Sequence, residues 1–342
     1  MRNKSICPDY DLQPVYYNRV MSEKFEKLIM EKYNWLIAFV KKHPELDFQT
    51  GFDQKQNKSW FSVYRGTSRI LQITYFDKSG RVTIDAAESY MKLDSYPRQL
   101  DEKHLEAYLK EINENPKFGK YYIDSEGDCK EGYYQTLIAR RYTFENIIDD
   151  EFVIFDKEFV FGFLDKEVKQ LWNEEIVEWQ NESIKRLRSN SKERLPKDIR
   201  SQYGEIDFMG ITWDGDLIVI ELKKDIEEAL LSPIQCGYYS LQLKKFLLEN
   251  PEEREEQLSE AIREMVYQKK RMGLIKKLPK AKELPKGLSG VVRNYIVIGN
   301  EEKVLKESKK ERFKLAAKVS FCSSLKVFTC EQDGTLRPST LF

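Results

Sequence analysis

Leu217-Ile218-Val219-Ile220 constrains this chain more than any other stretch. An unbroken aliphatic run rich in β-branched residues, entered from the turn Asp214-Gly215-Asp216, is the pattern of a central strand covered on both faces. The strand runs on into Glu221-Leu222-Lys223, and charges at the end of a buried strand need a reason. Side chains alternate along a strand, so Glu221 and Lys223 share one face while Leu222 points to the other. Upstream of the turn, Gly204 to Thr212 reads as an adjoining strand that brings Asp207 alongside. A hard divalent cation takes oxygen ligands, which Asp207, Glu221 and a backbone carbonyl such as that of Leu222 can supply together.

The triplet acid-x-Lys is weak by itself in a chain that is 33% charged, and it recurs, for example at Asp53-Gln54-Lys55 and Glu167-Val168-Lys169. Only the Glu221 copy ends a strand. On these residues alone, Glu221 and Lys223 read equally well as strand-end residues meeting solvent. Two neighbouring segments extend the pattern. Asp165 to Asn181 reads as a helix with Asp165 as N-cap and Val168, Leu171, Trp172, Ile176 and Trp179 as its apolar stripe. Glu175 falls within that stripe on the helical wheel, and a carboxylate so placed must be paired or bind a metal. Glu182, farther along the same face, is the alternative. Downstream, Ser232 as N-cap and Pro233 at the first helical position open a helix on which Gln235 and Tyr239 are i,i+4 neighbours. Both also read as ordinary helix-surface residues.

Taken in order, a helix Glu, Gly-x-Ile-Asp, Glu-x-Lys and Gln-x-x-x-Tyr resembles the PD-(D/E)xK nuclease superfamily in its RecB-like branch, close to branched-DNA and mismatch endonuclease catalytic domains. The resemblance spans residues 165 to 240. Ile206 stands where the superfamily's name has Pro, as is common in this branch. The resemblance implies that Asp207 and Glu221 ligate Mg²⁺ or Mn²⁺ with the Leu222 carbonyl, that Glu175 holds a metal-bound water, and that Lys223 orients the attacking water and steadies transition-state charge. It further implies that Gln235 and Tyr239 position DNA. A metal lowers the pKa of its water, and a cation placed where oxyanion charge develops acts mainly in the transition state. The expected activity is hydrolysis of DNA phosphodiesters by an endonuclease, without a covalent intermediate and with RNA not excluded, in DNA repair or defence against foreign DNA. A ligand- or partner-gated nuclease effector and a catalytically silent nucleic-acid-binding protein of the same fold are the alternatives.

Lys+Arg and Asp+Glu number 57 each, so no bulk charge draws the chain to nucleic acid. Local runs differ. Lys269, Lys270, Arg271, Lys276, Lys277 and Lys280 belong to a basic segment that reaches Lys286, and a second runs from Lys185 to Arg200. Such segments neutralise phosphates or form solvated loops and helix faces. Five cysteines without a C-x-x-C pair, and only His43 and His104, exclude most zinc and disulfide frameworks and disfavour Ser-His or Cys-His catalysis. Met1 to Tyr17 lacks the apolar core of a signal peptide, and no stretch approaches the roughly 18 apolar residues of a membrane span. A cytoplasmic protein with no membrane partner is expected.

The length of 342 residues suggests two domains: residues 1–150, α+β and of open role, and residues 151–342, the nuclease domain. The second is expected to be α/β (α+β), a restriction-endonuclease-like mixed sheet flanked by helices in the order helix, strands, helix, strand. Its elements are a hairpin from Asp149 to Phe163 turning at Asp156-Lys157, the Glu175 helix, the two site strands, the Gln235 helix and another through Gln268. A strand at Val291 to Ile298, a helix near Glu301 to Lys318 and a strand near Leu325 to Thr329 close it. In the first half, Met21 to Lys42 reads as a helix, and Trp60 to Val63, Ile70 to Phe76 and Arg81 to Ile84 as a meander. Asp101 to Asn115 and Glu131 to Arg141 read as helices. Tyr64, Arg65, Arg69, Tyr75 and Arg81 form either an aromatic and basic face for DNA or a packed sheet with solvated edges. Substrate recognition, ligand sensing and homodimer formation are all open for this half.

Overall fold

The computed structural model describes residues 15–143, 145–146, 151–190, 204–278, 283–300, 307–320 and 325–339. The chain begins with β1 (Val15–Tyr16), α1 (Glu23–Lys32) and α2 (Asn34–Lys42). An antiparallel sheet follows: β2 (Asp47–Asp53), β3 (Lys58–Arg65), β4 (Ser68–Phe76) and β5 (Arg81–Asp85). Next come α3 (Glu88–Met91), α4 (Glu102–Glu114), α5 (Pro116–Gly119), α6 (Glu131–Thr143) and β6 (Glu145–Asn146). Then β7 (Phe152–Phe159), β8 (Gly162–Phe163), α7 (Lys166–Asn190), β9 (Ile206–Thr212), β10 (Leu217–Asp225) and α8 (Ser232–Leu248) lead to α9 (Pro251–Arg271). The last elements are β11 (Ile275–Lys277), β12 (Val292–Asn300), α10 (Glu307–Val319), β13 (Leu325–Cys330) and β14 (Leu336–Pro338).

The larger sheet has the order β14-β13-β12-β10-β9-β7. It is mixed: β7, β9 and β10 are antiparallel neighbours, whereas β12 runs parallel to β10 and β13 parallel to β12. The β9–β10 turn closes at Gly215, whose φ of 94° lies in the left-handed region and whose added Cβ would meet the Gly287 carbonyl oxygen at 2.8 Å. Alternation divides the apolar residues of β10 between two cores. Leu217 and Val219 pack with Met209, Tyr238 and Tyr239 under α8, while Ile218, Ile220 and Leu222 pack with Phe208 and with Tyr134 and Ile138 of α6. A strand buried on both faces is what the aliphatic run required.

Several expectations are corrected. The expected hairpin at Asp156-Lys157 is one strand, because these charges are buried and paired: Asp156 accepts from the Tyr17 hydroxyl at 2.9 Å, and Lys157 reaches Asp47 at 3.0 Å. β7 pairs with β9 and not with β8, which pairs with β1. The expected helix Met21 to Lys42 is two helices meeting at Tyr33. Ser232 lies inside α8, not at its cap, because a 3₁₀ turn at Glu228–Leu231 runs into that helix.

Packing cuts across the division at residue 150. The helix α6 belongs to the core of the larger sheet, while Met272 and Leu274 insert into the core of the smaller one. Buried polar contacts add further ties, including the Gln268 amide with the backbone of Met21. Among the described residues no helix is long and apolar enough to cross a membrane.

Candidate functional site

The β9–β10 register pairs Ile220 with Phe208, and one step farther along the same two strands stand Glu221 and Asp207. By alternation these two acids occupy the face that Val219 and Met209 share, toward α8. The Leu222 amide donates to Asp207 Oδ2 at 2.7 Å, which fixes that carboxylate against the backbone of β10. Glu221 is 1% exposed. Its Oε1 accepts from Lys223 Nζ, and its Oε2 has no hydrogen-bond partner. Lys223 Nζ also donates to the Leu222 carbonyl at 3.0 Å.

Electrostatics here follow from burial. Burial raises the Asp207 carboxyl, opposed by Lys223, the Leu222 N–H, Lys157 and the Glu221 side chain. Glu221 is raised well above the carboxylate range, first by burial and then by the charge of Asp207. Burial works against the Lys223 ammonium, but Glu221, Asp207 and Glu131 together push it up, so it stays charged. A buried carboxyl, Glu221, next to a half-buried one, Asp207, with one cation calls for a bound proton or a second positive charge.

The third acid is Glu131, the first residue of α6. Its carboxyl is pushed up to about 7 by burial, then by the charge of Asp207, with Lys223 opposing. The start of α6 is set by close packing. A Cβ on Gly132 would lie 2.3 Å from the Tyr121 carbonyl oxygen and 2.9 Å from the Thr67 amide nitrogen. Gly66, at φ 65°, approaches Gly132 from the β3–β4 turn. Buried polar contacts lock the arrangement. The Gly66 amide donates to Thr136 Oγ1 at 3.1 Å, Thr136 donates to Asp47 Oδ2 at 3.1 Å, and Lys157 Nζ donates to the Gly66 carbonyl at 2.9 Å. The smaller sheet thus holds in place an acid whose charge reaches Asp207 and Lys223 of the larger one. Glu131 was legible as the start of a helix; its nearness to Asp207 was not, because α7 is inserted between β7 and β9 and is the helix directly before the motif.

Glu175 is corrected. Its side chain is 84% exposed and faces Lys245 at 3.7 Å. The buried stripe of α7 runs through Trp172, Asn173, Ile176, Gln180, Ser183, Ile184 and Leu187, so polar residues occupy positions that an apolar count passes over. Leu171, which skewed the expected stripe toward Glu175, is 69% exposed. Glu182 is also exposed and pairs with Lys185 at 3.5 Å.

Gln235 and Tyr239 lie beside the acids. The Gln235 amide donates to the Tyr239 hydroxyl at 3.3 Å, which donates to the Glu205 carbonyl at 2.5 Å, two residues before Asp207. Burial, then the Glu221 charge, keeps the Tyr239 phenol protonated.

The first basic run is largely committed elsewhere. Lys269 is buried, donates to the Phe155 carbonyl at 2.8 Å, and is pushed down to about 8 by burial. Arg271 is bound by Glu26 at 2.6 Å and 2.8 Å, and by Glu264. Lys270 is exposed; Lys276 and Lys277 lie on β11 with side chains outside the described residues, as does Lys280 altogether. In the second run, residues 191–200 lie outside the described residues. The proposed DNA face on the smaller sheet is mostly packed: Arg65 is buried against Asn113 and stacks on Tyr122, and Tyr75 stacks on Phe25.

Among the described residues no three His, Cys, Asp or Glu side chains converge as a ready-made metal cage. What converges in the middle of β10, which runs on to Asp225 and does not end at the acid as expected, is a pair of carboxylates and the Leu222 carbonyl, with Glu221 Oε2 buried and unpartnered. An all-oxygen donor set of this kind fits a hard cation. Comparisons of the chain with protein-family models, with curated proteins and with solved structures give no match.

Proposed function

We propose that the chain is a metal-dependent nuclease that hydrolyses phosphodiesters, with DNA the principal substrate. The observation that carries this reading is the buried Glu221, with its orphaned Oε2 and its Lys223 partner, beside the half-buried Asp207. Two carboxyls facing one ammonium, with the charge of Glu131 adding to the field, leave a negative site that a divalent cation would neutralise. The order of elements supports the restriction-endonuclease-like architecture: helix α6, antiparallel β7, β9 and β10, helix α8, then parallel β12. Counted this way, the first helix supplies Glu131 in place of Glu175.

Asp207, Glu221 and the Leu222 carbonyl would hold Mg²⁺ or Mn²⁺, and the Glu131 carboxyl would accept a hydrogen bond from water nearby. The bound cation supplies Lewis acidity and a water of lowered pKa. Lys223 steadies the attacking water and the charge that grows on the phosphoryl oxygens. Gln235 and Tyr239 brace the backbone entering β9 and so hold Asp207 in register. Repair of DNA and defence against foreign DNA are the settings in which such an endonuclease fits.

The test is cleavage of plasmid, linear, branched and single-stranded DNA, and of RNA, with Mg²⁺ or Mn²⁺. Asp207→Ala and Lys223→Ala should each abolish it; activity surviving in both would remove the site from the reaction.

A further inference from the structure

Beside the acids, a groove of about 480 Å³ opens between the two sheets, lined by Tyr64, Ser68, Arg69 and Tyr121 from the first half of the chain and by Glu158 and Glu205 from the second. Its volume lies within the range of small-ligand pockets, about 300–1,000 Å³. Glu205 ties it to the site, since its carbonyl accepts from Tyr239 two residues before Asp207.

We propose that this groove receives an unpaired nucleobase of the substrate strand, next to the phosphate being cut. The inference rests on the nuclease reading above. The chemistry of the lining selects the base over the backbone. Carboxylates at Glu158 and Glu205 repel a phosphodiester but accept hydrogen bonds from the amino groups and ring N–H groups of bases. Tyr121 is 39% exposed and supplies an aromatic surface of the kind on which bases stack in single-stranded recognition. The Lys120 ammonium, 4.7 Å from the centre of the Tyr121 ring, brings positive charge to the same place. Arg69, held by Asp85 at 3.0 Å, adds a second cation to the lining. Cations near the opening suit the phosphates of a strand whose base points inward.

Backbone geometry gives an independent reason to look here. Glu158 has φ 55°, a left-handed conformation that a residue other than glycine adopts at a cost, and it lies in the otherwise extended β7. Strain of this kind is kept where the direction of a side chain matters. The Arg19 guanidinium donates to the Glu158 carbonyl at 3.1 Å and helps to hold that conformation.

The test uses the full chain and single-stranded oligodeoxynucleotides carrying 2-aminopurine at successive positions around the cut, with Ca²⁺ replacing Mg²⁺ so that binding is read without turnover. The expected result is quenching at one position only, lost in Tyr121→Ala together with roughly tenfold in affinity and restored in Tyr121→Phe. With Mg²⁺, an abasic residue at that position should raise KM for the wild type by about the same factor and leave Tyr121→Ala indifferent. Cleavage by the wild type with no position sensed, or with the same pattern in Tyr121→Ala, overturns the base site and leaves the nuclease reading standing. A wild type that cleaves none of these oligonucleotides and none of the substrates above overturns both.

Discussion

Glu131, at the start of α6, stands in the negative field of Asp207 on β9, so two acids 76 residues apart in sequence share one electrostatic environment. The acid nearest Asp207 in the motif order, Glu175, is instead a solvent-facing partner of Lys245. Glu131→Ala should lower metal-dependent cleavage by about a hundredfold or more, while Glu175→Ala leaves the rate within about twofold of wild type. Single-turnover rates on one DNA substrate decide it, and equal losses in both variants would restore Glu175 to the site.

Stability of the metal-free protein should fall as pH rises from 4.5 to about 7. The Glu131 carboxyl is raised on folding, so the folded chain holds this proton more tightly than the unfolded one; the resulting stability is complete below the ordinary value and is lost through the raised one. Asp207 and Glu221 are raised too and push in the same direction. Millimolar Mg²⁺ should stabilise most at the upper end of that window, where the carboxylates are ionised. Thermal melts across the range with and without Mg²⁺ check it, and parallel curves would argue against a cation at these acids.

Gly132→Ala forces a Cβ against the Tyr121 carbonyl, where the added atom would sit at 2.3 Å. Overpacking of this sort costs about 1–3 kcal/mol. Because the strain falls on the residue next to Glu131, cleavage should drop even well below the melting temperature. Urea unfolding and a cleavage assay at low temperature separate the two effects; a destabilised variant with the wild-type rate would show that the clamp only holds the fold.

Tyr239→Phe removes one hydroxyl that both accepts from Gln235 and donates to Glu205. The expected loss is about 1 kcal/mol of stability and roughly tenfold in kcat, since the strand carrying Asp207 loses its brace. An unchanged kcat would confine Tyr239 to packing.

Lys269→Met should cost about 1–3 kcal/mol by leaving the buried Phe155 carbonyl without its donor, while Asp156 keeps Tyr17 and Arg19. The salt dependence of DNA binding should stay as in the wild type, because this amine never reaches solvent. Denaturant unfolding and binding titrations at several salt concentrations read the two quantities, and a flatter salt slope would return Lys269 to the DNA interface.

By itself the sequence determined what depends on neighbours along the chain. The aliphatic run fixed a two-sided strand, alternation put Glu221 and Lys223 on one face, and the Asp214 to Asp216 turn brought Asp207 beside them, as the β9–β10 pairing bears out. Helix caps at Asp101 and Asp165 were legible for the same local reason, and both carboxylates accept from the backbone amide three residues on. Tertiary structure alone decided the rest. Which distant acid comes into the field of Asp207 depended on α6 being clamped against the β3–β4 turn through Gly66 and Gly132, a contact with no local signature. Whether a charge is free or spent depended on burial: Asp156-Lys157 looked like a turn, and Lys269 and Arg271 like phosphate ligands, until distant partners were in place. The period of a strand or helix reports the environment of its own faces, whereas the identity of what covers them is set by segments far away in the chain.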